Sequence, residues 1–158
     1  MIRMNHVGVC VEDLESAINE WCLYLEVDRR TVIVTKNVPE KEGDVIDVAL
    51  VPIGEGYIEI LAPVKPDGNL ARTIKKRGVG LNHIGISVKH FDYEWNRLHN
   101  LGFTFVDTKY WVDHFGTKYT FTIGKPARTL IELAQDWEPT GPSSWGPIIY
   151  PERRNDKE

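Results

Sequence analysis

Two histidines and two glutamates occupy repeated positions in this sequence. His6 lies in the run Asn5, His6, Val7, Gly8, Val9, Cys10, Val11, and His83 lies 77 residues further on in Asn82, His83, Ile84, Gly85, Ile86, Ser87, Val88. Glu59 stands between Ile58 and Ile60, and Glu132 between Ile131 and Leu133. The step from His to Glu is 53 residues in the first case (59 − 6) and 49 in the second (132 − 83). A single His on a strand is most often structural, and a single Glu there usually faces water. Recurrence of both at matched positions is what argues for chemistry. A carboxylate in a strand flanked by apolar residues costs several kcal/mol to bury alone, so it needs a partner or a metal. Imidazole and carboxylate together suit one first-row divalent ion, Co, Ni, Zn, Mn or Fe(II), with positions left open for water or substrate. The donor types do not choose among these metals. His6, Glu59, His83 and Glu132 are therefore the expected metal ligands.

The elements that must position these four repeat as well. Residues 4–11 alternate as a strand, with Val7, Val9 and Val11 on one face and Met4, His6, Gly8 and Cys10 on the other. Asp13 is placed to cap a helix whose apolar stripe is Leu14, Ala17, Ile18, Trp21 and Leu25. The Val face then packs on that helix and the His6 face looks into a cavity. A strand is expected over 30–35, a polar loop over 36–43, and a hairpin over 44–52 and 56–62 with its turn centred on Gly54. That register sets Ala49 opposite Glu59 and puts Asp47 on the Glu59 face. A slip of one residue would reverse the assignment.

The connection over 63–80 carries a turn at Pro66, Asp67 and Gly68, a helix start at Asp67 or Asn69, and four basic residues from Arg72 to Arg77. These read as a solvated helix face in preference to an anion site. The second half then repeats the first: a strand at 81–88, a helix at 91–101, a short strand at 103–106, a polar and aromatic loop at 107–116, and a hairpin over 117–123 and 129–135. Each half reads strand, helix, strand, strand, strand. The fold class is α+β, with two tandem βαβββ modules, about 4–63 and 81–135, forming a half-open and mainly antiparallel sheet whose helices cover the convex side. Parity puts Asn5 and Asn82 on the helix side, as structural hydrogen-bonding residues. Gly8 and Gly85 lie on the His face, where the missing side chain leaves room for a ligand or for close strand packing. His114 in the long loop is either an acid or base or an exposed loop residue; His90 and His99 carry no expected chemistry. After Asp136 the chain is rich in Pro and Gly with two Trp, a part expected to pack back on the domain, and 152–158 is nearly all charged and expected to be disordered.

Composition narrows the function classes. A net charge of -4 argues against nucleic acid, which needs a concentrated basic surface. No apolar run approaches the ~20 residues of a membrane span, so no membrane partner is expected. The N-terminus enters a strand pattern without the order of a secretory signal, which points to the cytoplasm. Cys10 and Cys22 are then reduced, small buried residues and not a disulfide.

The sequence resembles the vicinal oxygen chelate superfamily with its glyoxalase fold, and within it is most similar to the methylmalonyl-CoA epimerases. The resemblance spans residues 4–135, leaving 136–158 as a tail without a counterpart. Its most specific parts are the opening strand and helix, the strand end Glu59, Ile60, Leu61, Ala62, Pro63, the stretch from Pro66 into Leu81, Asn82, His83, Ile84, and the closing Leu130, Ile131, Glu132, Leu133. It implies metal ligands at His6, Glu59, His83 and Glu132, an acidic base candidate at Asp47, a small-molecule substrate that in the epimerases is an acyl-CoA, and a homodimer. Two departures stand out. The epimerases usually carry His-His where this chain has Asn82 and His83, and a longer turn beginning His-Pro where it has Lys125, Pro126, Ala127, Arg128.

The chemistry implied is a metal-dependent epimerase or isomerase. A metal binding two substrate oxygens stabilises an enolate while a carboxylate takes the intervening proton. Glu59 and Glu132 are candidate acid and base as well as ligands, with Asp47 the further candidate. The rivals on the same scaffold are a glyoxalase I-type lyase, an Fe(II) ring-cleaving dioxygenase, which usually uses two His and one carboxylate, and a non-enzymatic binding protein of the bleomycin resistance kind.

Overall fold

A computed structural model describes residues 2–150. The charged stretch 152–158 lies outside the described residues. Among them, one sheet of nine strands forms along the order β2, β3, β4, β1, β5, β9, β8, β6, with β7 also pairing β8. The strands are β1 (Ile2–Cys10), β2 (Ile33–Pro39), β3 (Val45–Ile53), β4 (Gly56–Pro63), β5 (Gly80–Val88), β6 (Thr104–Phe105), β7 (Trp111–Val112), β8 (Lys118–Ile123) and β9 (Ile131–Gln135). The helices are α1 (Leu14–Leu25), α2 (Asn69–Arg77) and α3 (Phe91–Asn100). A separate hairpin, β10 (Trp137–Gly141) with β11 (Ser144–Pro147), follows β9 directly. No helix of the described residues is long and apolar enough to cross a membrane.

The duplication is visible in the pairing. β1 runs parallel to β4, and β5 runs parallel to β9. Every other pair in the sheet is antiparallel, and β1 against β5 joins the halves. The chain is thus α+β with a mostly antiparallel sheet, as expected. Alternation along each strand sorts side chains to two faces. Leu14, Ala17, Ile18 and Cys22 of α1 pack with Ala49, Val51, Ile58, Ile60 and Ala62. The other face carries Ile46, Val48, Leu50 and Leu61. Asp13 caps α1 by accepting the Ser16 N–H at 2.7 Å. In the second half Val88, Phe91 and Leu133 form the matching but smaller core.

Two expectations are corrected. Arg29–Thr31 forms a 3₁₀ turn, because the Asp28 carboxylate accepts the Arg30 N–H at 2.9 Å, so the strand begins at Ile33 and runs on to Pro39. The hairpin register differs by one residue. Ile53 pairs with Gly56 across a two-residue turn, so Leu50, not Ala49, lies opposite Glu59, and Asp47 lies opposite Ala62. This one-residue slip moves Asp47 to the α1 face. There it accepts the Asn37 N–H at 2.8 Å and pairs with Lys36 at 3.2 Å.

The part after Asp136 does pack back. Trp137 is buried, Val34 N–H donates to the Pro142 carbonyl at 3.3 Å, and the Thr35 hydroxyl donates to the Ser143 carbonyl at 2.9 Å. The hairpin therefore crosses from β9 to the β2 edge of the sheet.

Candidate metal centre

β1 and β5, the central pair, each carry one His, and the outer parallel neighbours β4 and β9 each carry one Glu. The ligand atoms of His6, Glu59, His83 and Glu132 all lie within 4.8 Å of one another. His6 Nε2 and His83 Nε2 are 2.9 Å apart. Glu59 Oε2 is 3.2 Å from His83 Nε2 and 3.6 Å from His6 Nε2, and Glu132 Oε2 is 3.3 Å and 3.6 Å from the same atoms. An ion with bonds of about 2.1 Å sets its donors about 3.0 Å apart at right angles and about 3.4 Å apart at the tetrahedral angle. The four donors therefore fit a divalent ion in spacing as well as in type.

Two glycines permit the convergence. His6 pairs across the strands with Gly85, and His83 with Gly8. A Cβ on Gly8 would stand 2.2 Å from the His83 ring, and one on Gly85 would stand 2.2 Å from the His6 ring. Each glycine thus admits the imidazole of the other half. In the parallel pairs Glu59 lies beside Gly8 and Glu132 beside Gly85, so each carboxylate reaches past a glycine.

Two bulges aim the rings. The β1–β5 pairing passes from Met4 with Ile86 to His6 with Gly85, leaving Asn5 as the extra residue, and from Gly8 with His83 to Val9 with Leu81, leaving Asn82 as the extra residue. A bulge breaks strand alternation and re-aims side chains locally. Consequently Asn5 Oδ1 lies 2.9 Å from His6 Nδ1 and Asn82 Oδ1 lies 2.9 Å from His83 Nδ1. The helix-side expectation for both Asn is overturned. An amide oxygen can only accept, so it takes the hydrogen bond from Nδ1–H and turns Nε2 toward the centre.

The centre calls for positive charge. Burial lowers the pKa of His83, but Glu132 and Glu59 outweigh it and push it up to about 10. His6 is raised for the same reason, burial being outweighed by Glu59 and Glu132. Burial works against ionisation of Glu132, yet the two histidines hold its carboxyl well below the usual carboxylate range. Two partly buried carboxylates beside two buried imidazoles are balanced either by protons on the rings or by a divalent ion.

Above the four residues opens a cavity of about 530 Å³. Its aliphatic wall comes from the first half, with Val38, Ile46, Val48, Leu50 and Leu61, and its aromatic wall from Trp111, Tyr119, Phe121, Trp137 and Trp145. The sequence of this chain matches the Glyoxalase/Bleomycin resistance protein/Dioxygenase superfamily over residues 5–121. The chain belongs to that superfamily.

Solved structures of similar fold include three from bacteria. A hypothetical protein BH1468 from Bacillus halodurans is 22% identical with a TM-score of 0.72, covering 89% of this chain and 98% of that one. The methylmalonyl-CoA epimerase from Mycobacterium tuberculosis is 26% identical with a TM-score of 0.68, covering 84% and 86%. The Streptomyces coelicolor methylmalonyl-CoA epimerase in complex with 2-nitronate-propionyl-CoA is 19% identical with a TM-score of 0.68, covering 84% and 93%. No curated protein matches the sequence.

Within this superfamily fold the remaining candidates separate. Asp47 lies on the opposite face of the sheet from Glu59 and is not a wall of the cavity. His114 is exposed and lies against Phe115 with tilted rings, centroids 3.7 Å apart, and is not itself a wall of the cavity. Arg72 donates to the Asp67 carbonyl and the Asn69 side chain, while Lys75, Lys76 and Arg77 are exposed in the last turn of α2, where they complement the helix dipole. Cys10 and Cys22 are free thiols, and burial, with help from Glu59, pushes Cys10 up to about 11.

One acidic residue was missed by sequence reasoning. Glu40 follows β2 in a loop that bends back through the Glu40 N–H to Asp44 carbonyl bond at 2.8 Å, and it lines the cavity. Burial, then the charges of Glu59, Glu132 and Asp44, push its pKa up to about 7. Nothing in the polar run around Pro39 and Gly43 separates it from solvated loop acids such as Glu42. Only the loop's return over the cavity does.

Proposed function

We propose that this chain is a metal-dependent isomerase of the epimerase kind, moving a proton at a carbon next to a carbonyl. The observation that carries the reading is the convergence of His6, Glu59, His83 and Glu132 beneath a cavity whose wall presents Glu40. Those four residues would hold the divalent ion, which when bound supplies Lewis acidity to a pair of substrate oxygens.

The rest of the work falls to the chain itself. A carboxyl poised at about 7 is present in both forms at neutral pH, so Glu40 can take a proton as carboxylate and return it as acid. Burial is the leading cause of its shift and does not depend on what occupies the centre. Inversion needs a second group on the opposite face of the reacting carbon, and Glu59 or Glu132 is the carboxylate available for it. Asn5 and Asn82 keep both imidazoles oriented. The aliphatic wall and Trp137 keep bulk water from the reacting carbon, so that the proton passes between carboxyl and substrate. The likeness to the Mycobacterium tuberculosis methylmalonyl-CoA epimerase supports the reaction type.

The test is solvent exchange. Metal-loaded protein in D₂O, given a panel of 2-substituted carbonyl compounds that includes methylmalonyl-CoA, is expected to place deuterium at the α-carbon of at least one of them. Absence of exchange in every member of the panel would overturn the reading.

A further inference from the structure

The cavity above the metal centre is acidic and aromatic. Besides the two glutamate ligands it is lined by Glu40, Glu42, Asp44, Asp107 and Asp113. Among the described lining residues the only lysine or arginine is Lys41. That cation is already spoken for: its Nζ pairs with Asp107 and sits 3.0 Å from the centroid of the Trp111 ring. The other acids are not offset by cations. Asp113 accepts the Phe115 and Thr117 N–H groups at 2.9 Å and 2.8 Å and the Trp145 indole N–H at 2.8 Å. Asp44 accepts the Val45 and Leu70 N–H groups at 2.8 Å and 3.2 Å. These bonds fix both carboxyl groups in place beside the cavity. A divalent ion balances its two glutamate ligands and leaves the wall net negative.

A carboxylate or phosphate entering such a cavity meets like charge and no free cation, which costs affinity. The basic end of α2 does not change this, since Lys75, Lys76 and Arg77 are not among the lining residues. By contrast, flat apolar groups are well provided for. Trp137 stacks on Tyr57 with centroids 5.3 Å apart, Trp145 stands 6.1 Å from Trp137, and Trp111 stands 5.9 Å from Phe121. The Lys41 ammonium over Trp111 shows that this wall holds a positive group between a ring face and a carboxylate.

We infer that the substrate is a compact, ring-bearing molecule that presents two vicinal oxygens to the metal and carries no anionic group beyond them, being otherwise uncharged or ammonium-bearing, in place of an acyl-CoA. The inference rests on the metal-dependent reading above and names the substrate class of the same site. It assigns specificity to the aromatic wall contributed by β7, β8 and the β10–β11 hairpin, with Glu42 adding negative charge to the lining from an exposed position.

The test uses the full chain loaded with Co(II), whose visible spectrum reports chelation, and four hydroxamic acids sharing one chelating head. Benzohydroxamic acid is expected to bind at least about tenfold more tightly than acetohydroxamic acid, which lacks the ring. The 4-aminomethyl derivative should bind as tightly as the parent or more so, and the 4-carboxy derivative at least about tenfold more weakly. Trp145→Ala should shrink the ring advantage; should that variant fail to fold, Trp111→Leu serves instead. Glu42→Lys, at an exposed position, should narrow the penalty on the carboxylate. Equal binding of the carboxy derivative and the parent, equal binding with and without the ring, or displacement of benzohydroxamic acid by an equimolar amount of methylmalonyl-CoA would each overturn the substrate class while leaving the isomerase reading standing. If no hydroxamic acid perturbs the Co(II) spectrum, the metal-chelate reading itself fails, and this inference with it.

Discussion

His6 is aimed by a bulge at Asn5 and sits against Gly85, while His83 is aimed by a bulge at Asn82 and sits against Gly8. Around this matched pair the halves diverge. The first half builds long strands, β2 to β4, whose Val38, Ile46, Val48 and Leu50 give an aliphatic wall, and it closes with the loop that carries Glu40. The second half reduces its outer strands to the two-residue β6 and β7 and fills the space with Trp111, Tyr119 and Phe121. A duplicated module meeting its copy across β1 and β5 must present the same ligands from both sides, so the centre keeps the symmetry. A substrate has no such symmetry. The walls that touch it are free to differ, and the difference is where selectivity is expressed.

The comparison can be broken most severely at the ligands. His6→Ala and His83→Ala should each weaken metal binding by more than the ~10–100-fold typical of losing an outer partner, and by similar amounts. Titration against a competing chelator measures it, and a large inequality between the two would show that the halves do not share the ion evenly.

Next in size is the asymmetric element. Glu40→Gln should lower α-proton exchange by about 10²–10⁴ while leaving metal affinity unchanged. As a base, Glu40 works only when deprotonated, so exchange by the parent should rise through about pH 7 and this limb should vanish in the variant. Stability moves the other way. The folded chain binds this proton more tightly than the unfolded chain, so stability is lost as pH rises from the ordinary carboxylate range through about 7. Glu40→Gln should therefore melt higher than the parent at about pH 8 and no higher at about pH 4, as thermal unfolding followed by circular dichroism would record.

A smaller effect sharpens the symmetry. Asn5→Ala and Asn82→Ala should each cost about 10–100-fold in metal affinity, because each releases a ring from its tautomer and orientation. Asn5 is only 3% exposed, so its loss should also lower the melting temperature more than that of Asn82. The smallest effect is expected at Asp47. Asp47→Asn should leave proton exchange unchanged and move stability by less than about 0.5 kcal/mol, measured by denaturant unfolding. A loss of exchange comparable to that of Glu40→Gln would reverse the assignment of the two acids.

Much of the scaffold is legible in the sequence. The repeat at Asn5 and Asn82 marked matched strands, the Asp13 cap and the stripe from Leu14 to Leu25 marked α1, and the His and Glu positions marked one shared centre. Asp47 was misplaced because the turn after Ile53 holds two residues, Gly54 and Glu55, where three were counted; with a period of two, that slip exchanges the faces. Asn5 and Asn82 were misplaced by the same arithmetic, since parity assumes an unbroken ladder and both are bulge residues. Glu40 carried no local signal at all. The charges that shift it, Glu59 and Glu132, are distant in sequence, and a polar loop reads the same whether it faces water or a pocket.

The sequence by itself determined the duplication, most of the strand and helix types and the four His and Glu residues that cluster, because these are written in local periodicity and in near-matching recurrence. Tertiary structure alone decided the rest. Which face Asp47 occupies, how the bulges turn two asparagines onto two imidazoles, and which wall carries the acids and which the rings depend on contacts between residues far apart in the chain. Such contacts exist only once β1 has met β5 and the β10–β11 hairpin has crossed to the β2 edge.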